Sequence, residues 1–278
     1  MSEPVVIRKC YALAEFYACV ALQREIWGEE PLEVEPATMF VVAAHTGGQV
    51  IGAFDGDELI GFVLAVAAVR DGRAYLHSHM AGVRDGYRNQ GLGRKLKLFQ
   101  REEALRRGIT LIEWTFDPLE VRNAHFNLNR LGAICRKYLP NLYGVTTSPL
   151  HRGLRTDRLL AEWHLEWPSV VARIDGAEGE TVRGDLPGSE DVPKQDANLK
   201  IRHYRVKDAG GELGPRTYIT VPAVPYGVGG DLSGVTAVQD RLHAEFTEWF
   251  SKGYVAVALR PGAESAYVLV GQDCGSEA

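Results

Sequence analysis

The chain has 278 residues, 45% hydrophobic and 24% charged, with a formal net charge of -5. It is long enough for one large domain or two modest ones, and its balance is that of an ordinary folded protein. The net negative charge leaves no general basic footprint and argues against a nucleic-acid partner. The cysteines, Cys10, Cys19, Cys135 and Cys274, lack the paired spacing of a structural zinc site, so no metal is expected. No stretch suits a membrane span and no basic-then-apolar leader opens the sequence, so a cytoplasmic protein without a membrane partner is expected.

Val5 to Arg8 reads as a short strand. Leu13 to Trp27 reads as a helix, with Leu13, Phe16, Val20 and Ile26 on one broad face. Gly47-Gly48 separates two strand-like runs, Phe40 to Ala44 and Val50 to Asp55. Asp55-Gly56-Asp57 leads into the apolar strand Leu59 to Val69, and Asp71-Gly72 turns the chain into Tyr75 to Val83. A compact turn follows, then a helix in which Leu92, Leu96 and Phe99 share a face and Gly108 marks the end. Ile109 to Phe116 resumes as a strand, and Asn123 to Leu131 forms a short helix stopped near Gly132. Leu159 to Leu165 and Tyr218 to Val221 are further strands, separated by a linker-like stretch from Gly176 to Ala197. Val238 to Phe250 reads as a helix ended by Gly253, with Tyr254 to Leu259 and Tyr267 to Val270 as a closing hairpin.

The turn Arg88-Asn89-Gln90-Gly91-Leu92-Gly93-Arg94 carries the clearest chemistry. A glycine-rich turn that opens a helix presents backbone N–H groups to an anion, and Gly91 and Gly93 add no side chain to obstruct it. Arg88, Arg94 and Lys95 place positive charge where it opposes the helix dipole, which a bound pyrophosphate would compensate. A plain surface loop capped by a charged helix is the competing explanation. The turn lacks the Gly-Lys-Ser/Thr ending of a P-loop and the full G-x-G-x-x-G dinucleotide pattern, so neither ATP nor NAD chemistry follows.

That turn resembles the Arg/Gln-x-x-Gly-x-Gly/Ala motif of the GCN5-related N-acetyltransferase (GNAT) superfamily. Asn123 to Gly132 is similar to the family's second cofactor-side segment. The block Gly153 to Trp163 resembles a branch whose relatives include amino-acid N-succinyltransferases. The resemblance implies an α/β fold with a mixed, splayed central sheet over residues 1–167 and a C-terminal α/β elaboration over residues 168–278. It implies acetyl-CoA or another acyl-CoA as cosubstrate. The pantetheine arm would lie along the backbone of Met80, Ala81, Gly82 and Val83, and the pyrophosphate in the turn from Arg88 to Arg94. Asn123 and Asn127 would sit on the cofactor side, although Asn123 also suits a helix cap. The acceptor would be the primary amine of a small molecule, an amino acid among the candidates. A catalytically inactive CoA-binding or interaction module on the same fold is the alternative.

Direct attack on a thioester requires a neutral amine, hence a base. His77 and His79 alternate along one strand and share a face, and an imidazole titrates near neutrality. Hydrogen-bonded strand residues are the plainer explanation for both. Glu113, on the neighbouring strand, is the second base candidate, with a salt bridge as its ordinary role. The tyrosine that the family commonly uses as thiolate acid is replaced here by Leu128, which leaves Tyr138, Tyr143 and Cys135 to be weighed. Arg152, Arg155 and Arg158 suit either a substrate carboxylate or surface ion pairs.

Overall fold

The computed structural model describes residues 4–28, 30, 33–148, 153–175, 204–208, 211–222, 232–262 and 264–271. They fall into two compact units. One comprises residues 1–115, 143–156 and 164–166, the other 116–142, 157–163 and 167–278. The two units do not follow the expected 1–167 and 168–278 segments.

The first unit carries β1 (Val6–Lys9), α1 (Leu13–Trp27), α2 (Ala37–His45), β2 (Gln49–Asp55), β3 (Glu58–Arg70), β4 (Arg73–Val83), α3 (Leu92–Leu105) and β5 (Leu111–Phe116, its last residue aside). Strands β1 to β4 form an antiparallel meander, and β5 joins β4 in parallel. The β3–β4 turn fits the two-residue hairpin pattern, since Asp71 and Gly72 both have positive φ, 51° and 74°. Helices cover both faces. On one face α1 and α2 pack Phe16, Cys19, Leu22 and Phe40 over Phe62 and Leu64. The Phe62 ring centre lies 6.0 Å from that of Trp27 and 5.9 Å from that of Phe40. On the other face α3 sets Leu92 and Leu96 against Ile51, Ala53, Ile60 and Val63. Each such side chain contributes about 1.5–3 kcal/mol by leaving water.

Two sequence expectations fail in this unit. Phe40 to Ala44 is helical. Ala37, Phe40 and Ala43 are its buried positions, a three-residue stripe that a strand would split between two faces, and Pro36 precedes the first turn. Leu13 stays 55% exposed, because the buried stripe of α1 runs through Phe16, Cys19, Leu22 and Gln23.

The second unit carries α4 (Val121–His125), β6 (Ile134–Leu139), β7 (Arg158–His164, its last residue aside), α5 (Pro168–Asp175), β8 (Tyr204–Asp208), β9 (Gly211–Val221), α6 (Leu232–Ser251), β10 (Tyr254–Arg260) and β11 (Ser265–Gly271). The strand order is β7-β6-β10-β11-β9-β8 with antiparallel pairing. Residues 116–142 and 157–163 belong with the C-terminal elements because Cys135 in β6 pairs with Ala256 in β10 and β7 pairs with β6. The sequence pattern missed β6, α5 and β8. In β6 a bulge between Cys135 and Lys137 breaks the alternation that would have marked a strand. After α4 the chain runs through a π-helical turn, Phe126–Arg130. Asn129 exchanges two hydrogen bonds with the backbone of Leu259, and Trp163 Nε1 donates to the Leu131 carbonyl at 2.8 Å. Among the described residues no helix is long and apolar enough to cross a membrane. The stretch from Gly176 to Ala197 lies outside the described residues.

Candidate active site

The chain pairs β4 with β5 only at Leu76↔Ile112 and His77↔Glu113. Beyond those pairs β4 continues to Val83 and β5 to Phe116, with no further register between them among the described residues. The strands part there, and the backbone of Met80, Ala81, Gly82 and Val83, paired with β3 on one edge, has no strand partner on the other among the described residues. Gly82 lies close to the end of α1: a Cβ at this position would lie 2.7 Å from Ile26 Cδ1 and 2.9 Å from a ring carbon of Trp27, and those side chains would have to shift.

The turn beyond β4 is braced from several sides. Arg84 pairs with Glu25 and Glu58. Tyr87 donates its hydroxyl to Asp55 Oδ2 at 2.6 Å, and this bond raises the phenol pKa. Arg88 Nε donates to the Val83 carbonyl at 2.9 Å while its guanidinium pairs with Asp85, and Gln90 donates to the Gly86 carbonyl at 3.0 Å. Asn89 and Gly91 take left-handed backbone conformations, φ 62° and 78°. Leu92 is buried, so the turn is anchored by an apolar side chain just as α3 begins.

The N-terminus of α3 has no side-chain cap, and its first backbone bond runs from Lys95 N–H to the Gly91 carbonyl at 3.1 Å. The preceding N–H groups of Leu92 and Gly93 therefore have no acceptor within the helix. A Cβ built on Gly91 or Gly93 meets no atom within 4 Å, so the approach is open at both glycines. The residues present fit a pyrophosphate.

Tyr75, His77 and His79 of β4 and Glu113 of β5 lie on the face of the sheet covered by α1 and α2, opposite Ser78 and α3. The His77 and His79 ring centres are 6.4 Å apart. Burial, then the neighbouring His79, lowers the His77 pKa. His79 Nε2 is 2.9 Å from Glu35 Oε1. Glu113 is buried, and both carboxylate oxygens accept from Arg70, at 2.7 and 2.8 Å. Arg70 also donates to the Tyr75 hydroxyl at 3.1 Å, and the Glu113 hydrogen bond raises its own pKa. The ordinary role of Glu113 is thus realised in full.

Behind this face, Lys97 Nζ donates to Ser78 Oγ at 2.8 Å and Gln100 Oε1 at 3.1 Å, and burial lowers its pKa to about 7. Sequence reasoning missed Lys97, Gln23 and Glu35. For Lys97 the signal was present: it lies next to Leu96 on the helical stripe that also buries Gln100 and Glu103.

In the second unit, Asn127 is buried and donates to Asn123 Oδ1 at 3.2 Å. Leu128 is fully buried there. Of the residues weighed as thiolate acid, Tyr138 donates to the buried Asp157 at 2.7 Å, and burial pushes the Cys135 thiol well above its usual range. In the first unit, the Tyr143 hydroxyl is 3.1 Å from Thr115 Oγ1 on β5. Arg155 belongs to the first unit, Arg158 to the second, and Arg152 lies outside the described residues.

Residues 13–132 match the family model described as the acetyltransferase (GNAT) family. Among solved structures, the ribosomal-protein-S18-alanine N-acetyltransferase from Escherichia coli is similar at 15% identity. The match covers 59% of this chain and 96% of that one, with a TM-score of 0.47. Arabidopsis thaliana NAA60 in complex with acetyl-CoA is similar at 14% identity, over 58% of this chain and 99% of that one, with a TM-score of 0.47. No curated protein matches the chain. Over residues 13–132, less than half of its length, the chain is similar to the acetyltransferase (GNAT) family.

Proposed function

We propose that this protein acylates the primary amine of a small molecule, an amino acid foremost, with acetyl-CoA or a dicarboxylic acyl-CoA as donor, in the cytoplasm. One observation carries the reading: the unpaired edge of β4 leads directly to the uncapped N-terminus of α3. An extended arm can hydrogen-bond along Met80 to Val83 while its anionic end meets the turn Arg88-Asn89-Gln90-Gly91-Leu92-Gly93-Arg94. Asn123 and Asn127 are carried over from the family's second cofactor-side segment.

When bound, the acyl-CoA supplies a thioester carbonyl open to direct attack. The chain's own residues orient the acceptor and take its proton. The His77 and His79 rings lie side by side on β4, and the His79 side chain, 29% exposed, is accessible to solvent. Glu113 ranks below them because Arg70 occupies both of its oxygens. Tyr143, whose hydroxyl is 3.1 Å from Thr115 Oγ1 on β5, is the tyrosine we propose as the acid for the leaving thiolate.

The test is a matrix of acyl-CoAs against amino acids, polyamines, aminoglycosides and peptide N-termini, reading free CoA and acylated product together. Product with one acceptor class supports the reading. CoA binding without turnover anywhere in the matrix would leave a binding module on the same fold.

A further inference from the structure

The connection between α1 and α2 carries no catalytic motif, yet one side chain from it reaches the histidine face of β4. Glu35 Oε1 lies 2.9 Å from His79 Nε2. No loose surface arm holds it there. The Glu35 backbone N–H donates to Gln23 Oε1 at 2.9 Å, and its carbonyl accepts from Gln23 Nε2 at 3.1 Å. Gln23 is fully buried in α1. One side-chain amide thus satisfies both backbone groups of Glu35, much as a neighbouring strand would. Pro36 follows immediately and leads into α2, so the chain is stiff on that side too.

We propose that Glu35, clamped by Gln23, is a positioning residue for His79 that places the imidazole hydrogen on Nε2 and the basic lone pair on Nδ1. The proposal rests on the reading that His79 takes the proton of the acceptor amine. An ionised carboxylate only accepts hydrogen bonds. A lone pair on Nε2 would face those of Glu35 at hydrogen-bond distance, so the neutral ring carries its hydrogen on that atom. Nδ1 is then the one ring nitrogen able to receive a proton. In the step itself the amine N–H bond breaks and Nδ1–H forms, while the nitrogen lone pair bonds to the thioester carbon and the carbonyl π pair moves to oxygen. That pair would return as the C–S bond breaks and CoA leaves as the thiolate. The imidazolium so formed already has its counter-charge in Glu35, the logic by which a carboxylate orients and supports the histidine of a hydrolytic triad.

Ring-nitrogen NMR of the whole protein labelled at histidine tests this directly, with His79 assigned by the signal lost in His79→Gln. The expected result is a neutral His79 with its hydrogen on Nε2, giving way to mixed tautomers in folded Glu35→Gln, whose amide can donate as well as accept. Thiol release from acetyl-CoA with pooled proteinogenic amino acids should fall about tenfold in kcat for Glu35→Gln, with KM for acetyl-CoA unchanged. A wild-type hydrogen on Nδ1, or a tautomer indifferent to Glu35→Gln, overturns the positioning role. Full activity in His79→Gln overturns the base assignment instead, and with it the catalytic part of the proposal.

Discussion

The ammonium of Lys97 sits 4.2 Å from the centre of the Trp114 ring, a cation held against an aromatic face inside the first unit. Buried lysines are expensive when charged, and this one titrates near neutrality. Between about pH 7 and pH 10.5 the unfolded chain holds a proton on this lysine that the folded chain has released. Stability should therefore rise with pH across that window, by up to about 1.4 kcal/mol per unit from this group. Below pH 7 the lysine is charged in both states, and its full burial cost remains. Chemical denaturation at several pH values should show this slope in the wild type and a shallower one in Lys97→Met. Equal slopes would mean that Lys97 keeps its ordinary affinity for protons.

Gly91 and Gly93 separate two effects that a single substitution would confuse. Gly91 has φ 78°, so any side chain there strains the turn by about 1 kcal/mol before a ligand is involved. Gly93 lies in the first turn of α3 without positive φ and with open space beside it. Gly93→Val should therefore leave the melting temperature nearly unchanged while weakening CoA binding at least about tenfold by obstructing the backbone N–H groups. Calorimetric titration with CoA measures it. Unchanged affinity would move the pyrophosphate elsewhere.

The double variant His77→Gln/His79→Gln should lose most acyl transfer while retaining CoA affinity. In His79→Gln alone, residual activity carried by His77 should have a distinctive pH profile. Burial disfavours the imidazolium at His77 and outlasts the removal of His79, so the ring stays neutral to lower pH than an ordinary histidine. The acidic limb of the rate should then lie below about pH 6.5. A pH profile identical to wild type in the double variant would eliminate both residues.

Arg70 and Glu113 make a two-pronged ion pair with unequal partners, the carboxylate buried and the guanidinium half-exposed. Removing the arginine strands a buried charge, so Arg70→Ala should cost roughly 2–3 kcal/mol in denaturant unfolding. Arg70→Lys should recover only part of it, because one ammonium cannot serve both oxygens. Glu113→Gln should change stability far more than kcat. A folded Glu113→Gln protein with normal stability and no turnover would restore Glu113 as the base.

How far the sequence could be read depended on how local each signal was. The bounds of the helix from Leu13 to Trp27 were legible, and Gly28 takes the left-handed conformation at its end, whereas its buried face was not. The turn before α3 was equally legible, being written in consecutive residues. Phe40 to Ala44 was misread because a short run apolar on every side does not distinguish a strand from a buried helix, and the stripe through Ala37, Phe40 and Ala43 begins before it. The clamp from Gln23 to Glu35 to His79 left no trace in any window, since its partners are 12 and 44 residues apart. Such polar contacts are decided by tertiary packing, and no propensity or period encodes them.

An unpaired strand edge has a cost of its own. Where β4 and β5 separate, the backbone from Met80 to Val83 offers a ready template for any extended chain, including another copy's. An arm lying along that edge would act as a removable sixth strand for the first unit, shielding the edge from edge-to-edge association as well as presenting a thioester. Loading and colloidal behaviour then become linked quantities: saturating CoA should suppress concentration-dependent association that the unloaded protein shows, through the same hydrogen-bonding groups that hold the arm.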